Sequence, residues 1–208
     1  MAGRFITLEG GEGSGKSTQA KRLAAALQAK AIAVVTTREP GGSPGAEEIR
    51  ALLVNGAPGR WDALTETLLV YAARADHVGR TIGPALLAEK WVISDRFTDS
   101  TYAYQGAGRG LARETIRRID SVVLDDFKPD FTLMLDIDVE TGLKRAGARG
   151  NAESRFENFD RDFHERLRQA FLEIAKRNPD RCTIIDAAAD EEAVAAAIWT
   201  AVARRFGL

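Results

Sequence analysis

Gly10-Gly11-Glu12-Gly13-Ser14-Gly15-Lys16-Ser17-Thr18 is the stretch of this chain whose residue types and spacing most clearly imply chemistry. It fits Gly, four residues, Gly-Lys-Ser, directly after the strand-like apolar run Phe5-Ile6-Thr7-Leu8-Glu9. A polyphosphate needs many donors at close range, and only backbone without side chains wraps that tightly, hence glycine at 10, 13 and 15. A helix starting near Lys16 aims its free N–H groups and positive dipole end at the same phosphates. The Lys16 ammonium can reach the outermost ones, and Ser17 is placed to ligate Mg²⁺. Ala20, Leu23, Ala24 and Leu27 supply helical spacing after the loop.

Further candidates lie at the ends of other predicted strands, where an open parallel sheet holds its ligands. The run 31–37 reads as a buried β-branched strand ending at Arg38-Glu39-Pro40-Gly41-Gly42. Glu39 is thus either a solvated turn residue or a site carboxylate, and the strand-edge rule favours the site. Trp91-Val92-Ile93-Ser94 delivers Asp95 to the same edge, placed to meet Mg²⁺ directly or through water. Next to it Arg96 and the segment through Ser100, Thr101, Tyr104 and Gln105 combine a fixed cation, hydroxyls, aromatics and an amide, the inventory for gripping a phosphate and a base. The plainer reading of that segment is a polar helix start with packing aromatics. Lys144, Arg145, Arg149 and Arg155, spaced by Gly142, Gly147 and Gly150, suit a short mobile lid over about 142–157 that brings cations onto a reacting phosphate. Without a P-loop they would read as a charged surface loop. Asp138 reads as a helix cap.

The elements that must position these groups alternate strand and helix. Helical patterns are expected over about 46–54, 64–87 and 111–127, with Leu64, Leu68, Tyr71 and Ala72 on one face of the second and an interruption possible near Gly83-Pro84. Arg74 and Arg80 lie in that helix. Phe131–Asp136 and Cys182–Ile185 complete five strands, and the stripes Phe159–Ile174 and Val194–Phe206 read as packing helices. The spacing predicts an α/β fold of the P-loop NTPase type: a five-stranded parallel sheet flanked by helices, in one domain of 208 residues.

Composition is that of a globular chain, 45% hydrophobic and 28% charged. A formal charge of -1 gives no general attraction for nucleic acid or anionic lipid. The single cysteine, Cys182, reads as a buried thiol of a reducing compartment, and no charged and apolar leader or membrane-length run is present, so a cytoplasmic enzyme is expected. The parts are those of phosphoryl transfer.

Taken together, Glu9–Thr18, Thr37–Gly42, Tyr71-Ala72-Ala73-Arg74, Asp95-Arg96-Phe97 through Ser100–Gly106, and Arg145 through Arg149-Gly150 to Arg155 resemble thymidylate kinases, from Phe5 to the C-terminus. The resemblance implies ATP- and Mg²⁺-dependent conversion of dTMP to dTDP, and a homodimer. Carried over by position, Arg96 would hold the dTMP phosphate and Arg74 the thymine ring. Thr101 and Gln105 would complete the nucleoside contacts, and Tyr104 would crowd the sugar's 2′ position. Glu39, Pro40 and Ser100 fall in the same implied substrate site, and Arg145 in the ATP site. Glu12 in the loop with Arg149 in the lid looks like the lid-arginine, bacterial type. Val70 stands where the family usually has a Phe that stacks on thymine. Two other readings stay open: a deoxynucleoside kinase using Glu39 as base toward a 5′-hydroxyl, and a nucleotide sensor without turnover.

Overall fold

A computed structural model describes residues 2–148 and 155–208. Five strands, β1 (Phe5–Glu9), β2 (Val34–Arg38), β3 (Trp91–Asp95), β4 (Phe131–Asp136) and β5 (Cys182–Asp186), form one parallel sheet in the order β2-β3-β1-β4-β5. The pairings Leu8 with Asp95 and Arg38 with Asp95 bring the carboxyl ends of β1, β2 and β3 to one edge.

Alternation along the inner strands assigns side chains to the two faces. Ile6, Leu8, Ile93, Leu133 and Leu135 pack with Leu27 of α1 (Lys16–Gln28) and with Ile198 and Val202 of α9 (Glu191–Phe206). On the other face Met134 meets Phe163, Leu167 and Phe171 of α8 (Arg161–Arg177), while Phe5, Val92 and Phe97 pack with Leu124 of α6 (Arg113–Leu124). The expected five-stranded parallel sheet covered on both faces is what the chain forms.

Two expectations need correction. The strand expected over 31–37 begins at Val34 and is only half buried, because β2 is an outer strand with one neighbour. The helix expected over 64–87, with an interruption near Gly83-Pro84, is present as α3 (Ala63–His77), a π turn at Val78–Ile82 and α4 (Gly83–Leu87) in unbroken succession. Its inward face is not the apolar one. Leu64, Leu68 and Ala72 are exposed, whereas Glu66, Thr67, Val70, Tyr71, Arg74 and His77 are buried. That face lines the functional cleft, and its polar groups are satisfied by partners rather than by water.

Gly142, expected in a lid, stands in α7 (Val139–Gly147), where a Cβ would come to 2.5 Å from the Glu12 carbonyl oxygen. It is small because α7 and the P-loop touch backbone to backbone. Asp138 caps α7 as expected, accepting from the Thr141 N–H, and Asp62, Asp160 and Asp190 cap α3, α8 and α9 alike.

Leu133, fully buried at the centre of the sheet, tests this account of the core. Leu133→Ala is expected to lose about 2–5 kcal/mol in guanidinium unfolding, and a loss under 1 kcal/mol would mean that the β4 layer is not close-packed.

Candidate active site

The helix that follows the P-loop differs from its four capped neighbours. Its N-cap is Gly15, left-handed at φ 86°, with no side-chain cap and no acidic residue in the first turn. Its free N–H groups are therefore left for an anion. Lys16 is folded back into the loop, donating from Nζ to the carbonyls of Gly10 (3.2 Å) and Gly11 (2.8 Å) and to Ser14 Oγ (3.1 Å). Burial, and then the neighbouring Arg96, press its ammonium down to about 8. A polyphosphate in the loop would reverse that pressure. At the mouth of the loop the Ser17 hydroxyl donates to Asp95 Oδ2 at 2.5 Å, so a hydroxyl and a carboxylate converge there, the hard oxygen donors that Mg²⁺ takes alongside phosphate oxygens.

Arg96 is the second cation. It adopts φ +74°, which a non-glycine side chain seldom accepts. Buried Glu9 over-determines that turn: Oε1 accepts from the Phe97 and Ser100 N–H groups at 2.7 and 3.3 Å, and Oε2 from the Ser100 hydroxyl at 2.6 Å. These bonds also cap α5 (Thr98–Thr101), which carries no cap of its own. The Arg96 guanidinium then donates to the Gly10 carbonyl (2.9 Å), Ser100 Oγ (3.2 Å) and Glu12 Oε1 (3.1 Å), and lies over the Tyr104 ring. Tyr104 donates to the same Glu12 oxygen at 2.6 Å. Burial would push the Glu12 carboxyl up, but Arg96, Lys16 and Tyr104 outweigh it and hold it at about 2. Glu9 is displaced the other way, its carboxyl raised by burial and by Asp99.

These groups open onto a cleft of about 320 Å³ that also includes Arg38, Pro40, Leu53, Val54, Val70, Arg74, Thr101, Gln105, Phe156 and Glu157. Arg74, almost wholly buried, lies between the rings of Tyr71 and Phe97 at 4.6 and 5.1 Å. Its Nε donates to Glu39 Oε2 (2.8 Å) and its Nη2 to the Phe97 carbonyl and Thr101 Oγ1 (both 3.1 Å), while Nη1 is buried with no partner among the described residues. The other Glu39 oxygen faces His77 Nδ1 at 3.0 Å, and Nε2 of that ring meets Thr37 Oγ1. Glu39 is thus not a solvated turn residue: it is buried, and its two oxygens pair with Arg74 and His77. Tyr71 is turned from the cleft to donate to Asp120. Val70 does line the cleft, beside Leu53 and Val54.

Relatives of this arrangement are plain. Residues 8–198 match the family model described as thymidylate kinase. The thymidylate kinase of Caulobacter vibrioides is 56% identical over 206 residues, covering 99% of each chain, and that of Bradyrhizobium sp. (strain BTAi1) is 52% identical over 98% of this chain and 91% of its own. A crystal structure of thymidylate kinase from Ehrlichia chaffeensis superposes with a TM-score of 0.78 at 35% identity, covering 97% of this chain and 99% of that one. The chain belongs to the thymidylate kinase family. Membership makes it a P-loop enzyme of nucleotide phosphoryl transfer.

Against the thymidylate kinase pattern, the structure brings Glu12, Lys16, Ser17, Glu39, Pro40, Val70, Arg74, Asp95, Arg96, Ser100, Thr101, Tyr104 and Gln105 to one cleft. Arg145 stands apart from it, donating to the carbonyls of Ala187 and Ala188. Arg149 lies outside the described residues. Arg155 is not a lid cation over the phosphates: it is fully buried and donates to the carbonyls of Leu53 and Ala57 and to Glu66. Glu9, Glu66 and His77 escape a sequence reading. Glu66 had a signal, because it precedes Val70 and Arg74 by one and two helical turns and so shares their face.

Glu12 supplies a test of these electrostatics. Its folded value of about 2 lies below the ordinary 4.5, so its contribution is present above about pH 4.5 and is lost as pH falls through 2. Glu12→Gln is expected to unfold with a shallower acid dependence than the parent chain across that window. Identical slopes in denaturant titrations between pH 5 and 2 would contradict the Arg96–Glu12 pairing.

Proposed function

We propose that the chain catalyses ATP- and Mg²⁺-dependent phosphorylation of dTMP to dTDP. The observation that carries this reading over a deoxynucleoside kinase is the commitment of Glu39. With its oxygens bonded to Arg74 and His77, that carboxylate is engaged in holding the cleft wall, which favours an acceptor that needs no base. A phosphate acceptor needs no such base, since a monoester with a second pKa of about 6 is mostly dianionic at neutral pH. Arg96, bonded to the Gly10 carbonyl and to Glu12 at the loop's edge, is where that acceptor phosphate would sit, facing the triphosphate in the P-loop.

In this reading an acceptor phosphate oxygen bonds to the γ-phosphorus as the bridging bond to ADP breaks, giving dTDP and ADP. The loop N–H groups and Lys16 hold the donor phosphates, and Arg96 orients the acceptor and offsets negative charge. Mg²⁺ held by Ser17 and Asp95 would neutralise charge on the donor's phosphate oxygens. Arg149 is the lid cation and Arg145 a contact for ATP, its guanidinium lying by the 187–188 carbonyls. Thr101 and the apolar wall of Val70, Leu53 and Val54 enclose the nucleoside. Tyr104, fixed by Glu12, restricts the 2′ position. The free Nη1 of Arg74 is a donor for a base carbonyl, and Gln105 presents an acceptor for a ring N–H. That pairing fits the imide edge of thymine.

A homodimer is part of the proposal, supported by Leu64 and Leu68, 44% and 51% exposed and one turn apart on the outer side of α3. So is a cytoplasmic setting: Cys182 is a buried thiol pushed up to about 11 by burial, and among the described residues no helix is long and apolar enough to cross a membrane.

An ADP-release assay with ATP and Mg²⁺ compares dTMP with thymidine and repeats dTMP with Arg149→Ala. Turnover of dTMP alone is expected, with kcat lowered about a thousandfold in the variant. Turnover of thymidine instead would return the acceptor role to a hydroxyl, and an unimpaired variant would remove Arg149 from the mechanism.

A further inference from the structure

Glu66 is fully buried on α3, yet it touches nothing that reacts. One oxygen, Oε2, accepts from Arg109 Nη1 at 2.7 Å and from Arg155 Nη2 at 2.5 Å. The other, Oε1, accepts from Gln105 Nε2 at 2.8 Å. Both arginines are also anchored elsewhere, Arg109 on the Trp61 carbonyl and Arg155 on those of Leu53 and Ala57.

We infer that Glu66 is a specificity-determining positioning residue: it fixes which end of the Gln105 amide is left for the base. This rests on the reading that Arg74 and Gln105 meet the base edge. A carboxamide alone can serve either as donor or as acceptor by a half-turn, and a site built on it would accept either kind of pyrimidine edge. A carboxylate has no proton to give, so Gln105 must turn its NH₂ toward Glu66, which leaves Oε1 as the end turned from Glu66 toward the cleft that it lines. Arg74 is fixed in the opposite sense, its buried Nη1 being a donor and nothing else. An acceptor beside a donor complements the N3–H and O4 of thymine or uracil and opposes cytosine, whose N3 accepts and whose amino group donates.

The two guanidiniums are what make a carboxylate tenable there, because an unpaired buried charge would be strongly destabilising. They also determine what an isosteric amide would do. In Glu66→Gln the side-chain oxygen stays with Arg109 and Arg155, which can only donate, so the new NH₂ faces Gln105. Gln105 then turns its oxygen inward and its own NH₂ to the base.

The test is the ratio of kcat/KM for dTMP to that for dCMP, which does not change if a variant merely folds in lower yield. The parent chain is expected to favour dTMP strongly. In Glu66→Gln the ratio is expected to fall by about tenfold or more, since the mismatch moves from one base to the other. Arg109→Met, which removes a different arm of the same carboxylate, should lose stability but keep the ratio. Should Glu66→Gln yield no soluble enzyme, Glu66→Asp keeps the charge balance, withdraws the carboxylate from Gln105 and should also lower the ratio. A parent chain without preference for dTMP would overturn the reading of the base site and the inference with it. A preference retained in Glu66→Gln, or in Glu66→Asp where that variant must be used, would overturn the inference while the base-site reading stands. An equal fall in Arg109→Met would overturn it too, by showing that the ratio follows the packing of the cluster.

Discussion

The Glu9 carboxylate joins the two halves of the phosphate site, and most of the site's geometry depends on it. It ends β1, where the chain turns into the P-loop, and its oxygens take up the Phe97 and Ser100 N–H groups and the Ser100 hydroxyl beyond β3. The loop and the Arg96 segment are therefore held at one separation. Arg96 keeps its left-handed backbone because the residues after it are bonded in place, and its guanidinium is delivered onto the Gly10 carbonyl. Burial works against charge on Glu9 and Asp99 adds to that, so the fold places a carboxylate where it is least comfortable. Nearby Arg181, bidentate on Asp99 at 2.8 Å, balances the second acid of the group.

Among the described residues, Lys16, Arg96 and Arg74 each rest on oxygen acceptors of the chain itself. Lys16 rests on loop carbonyls and Ser14, Arg96 on Glu12 and Gly10, Arg74 on Glu39 and two further acceptors. Each has been taken out of water during folding, so a phosphate arriving there exchanges one set of oxygen acceptors for another instead of stripping a hydration shell. That is electrostatic preorganisation in the sense relevant to phosphoryl transfer. The depressed Lys16 is its signature: burial, and then Arg96, weigh against its charge although Asp95, Glu12 and Glu9 favour it.

What could be read from sequence was whatever chemistry imposes on spacing. The glycines at 10, 13 and 15 all have positive φ, and the strand before and helix after them follow from hydrophobic period. Reading failed where a polar group is buried by pairing. On α3 the apolar spacing of Leu64 and Leu68 marks the outer face, and the buried face carries Glu66, Arg74 and His77, whose partners come from residues up to 89 positions away. No local pattern encodes Arg155 meeting Glu66. Gly142 misled for a related reason: its smallness serves a backbone contact with Glu12 across the fold rather than freedom in a loop. Val34–Arg38 differs by position in the sheet, which a strand's own residues do not state.

The cleft's two ends differ in how their bonds can be rearranged. At the phosphate end the partners of Lys16 and Ser17 are exchangeable: a rotating ammonium and a hydroxyl can turn to new oxygens without moving backbone. At the base end they are not. Arg74 is clamped between two rings and three acceptors, and Gln105 is held through Glu66 by two arginines anchored on main-chain carbonyls. Adjustable contacts suit a group whose charge distribution changes during reaction, whereas discrimination between similar bases needs donors and acceptors that cannot turn to suit the wrong one. In the proposed reading, the buried pairs of Glu39 with Arg74 and of Glu66 with Arg109 and Arg155 lie toward the base, where their rigidity contributes to selectivity.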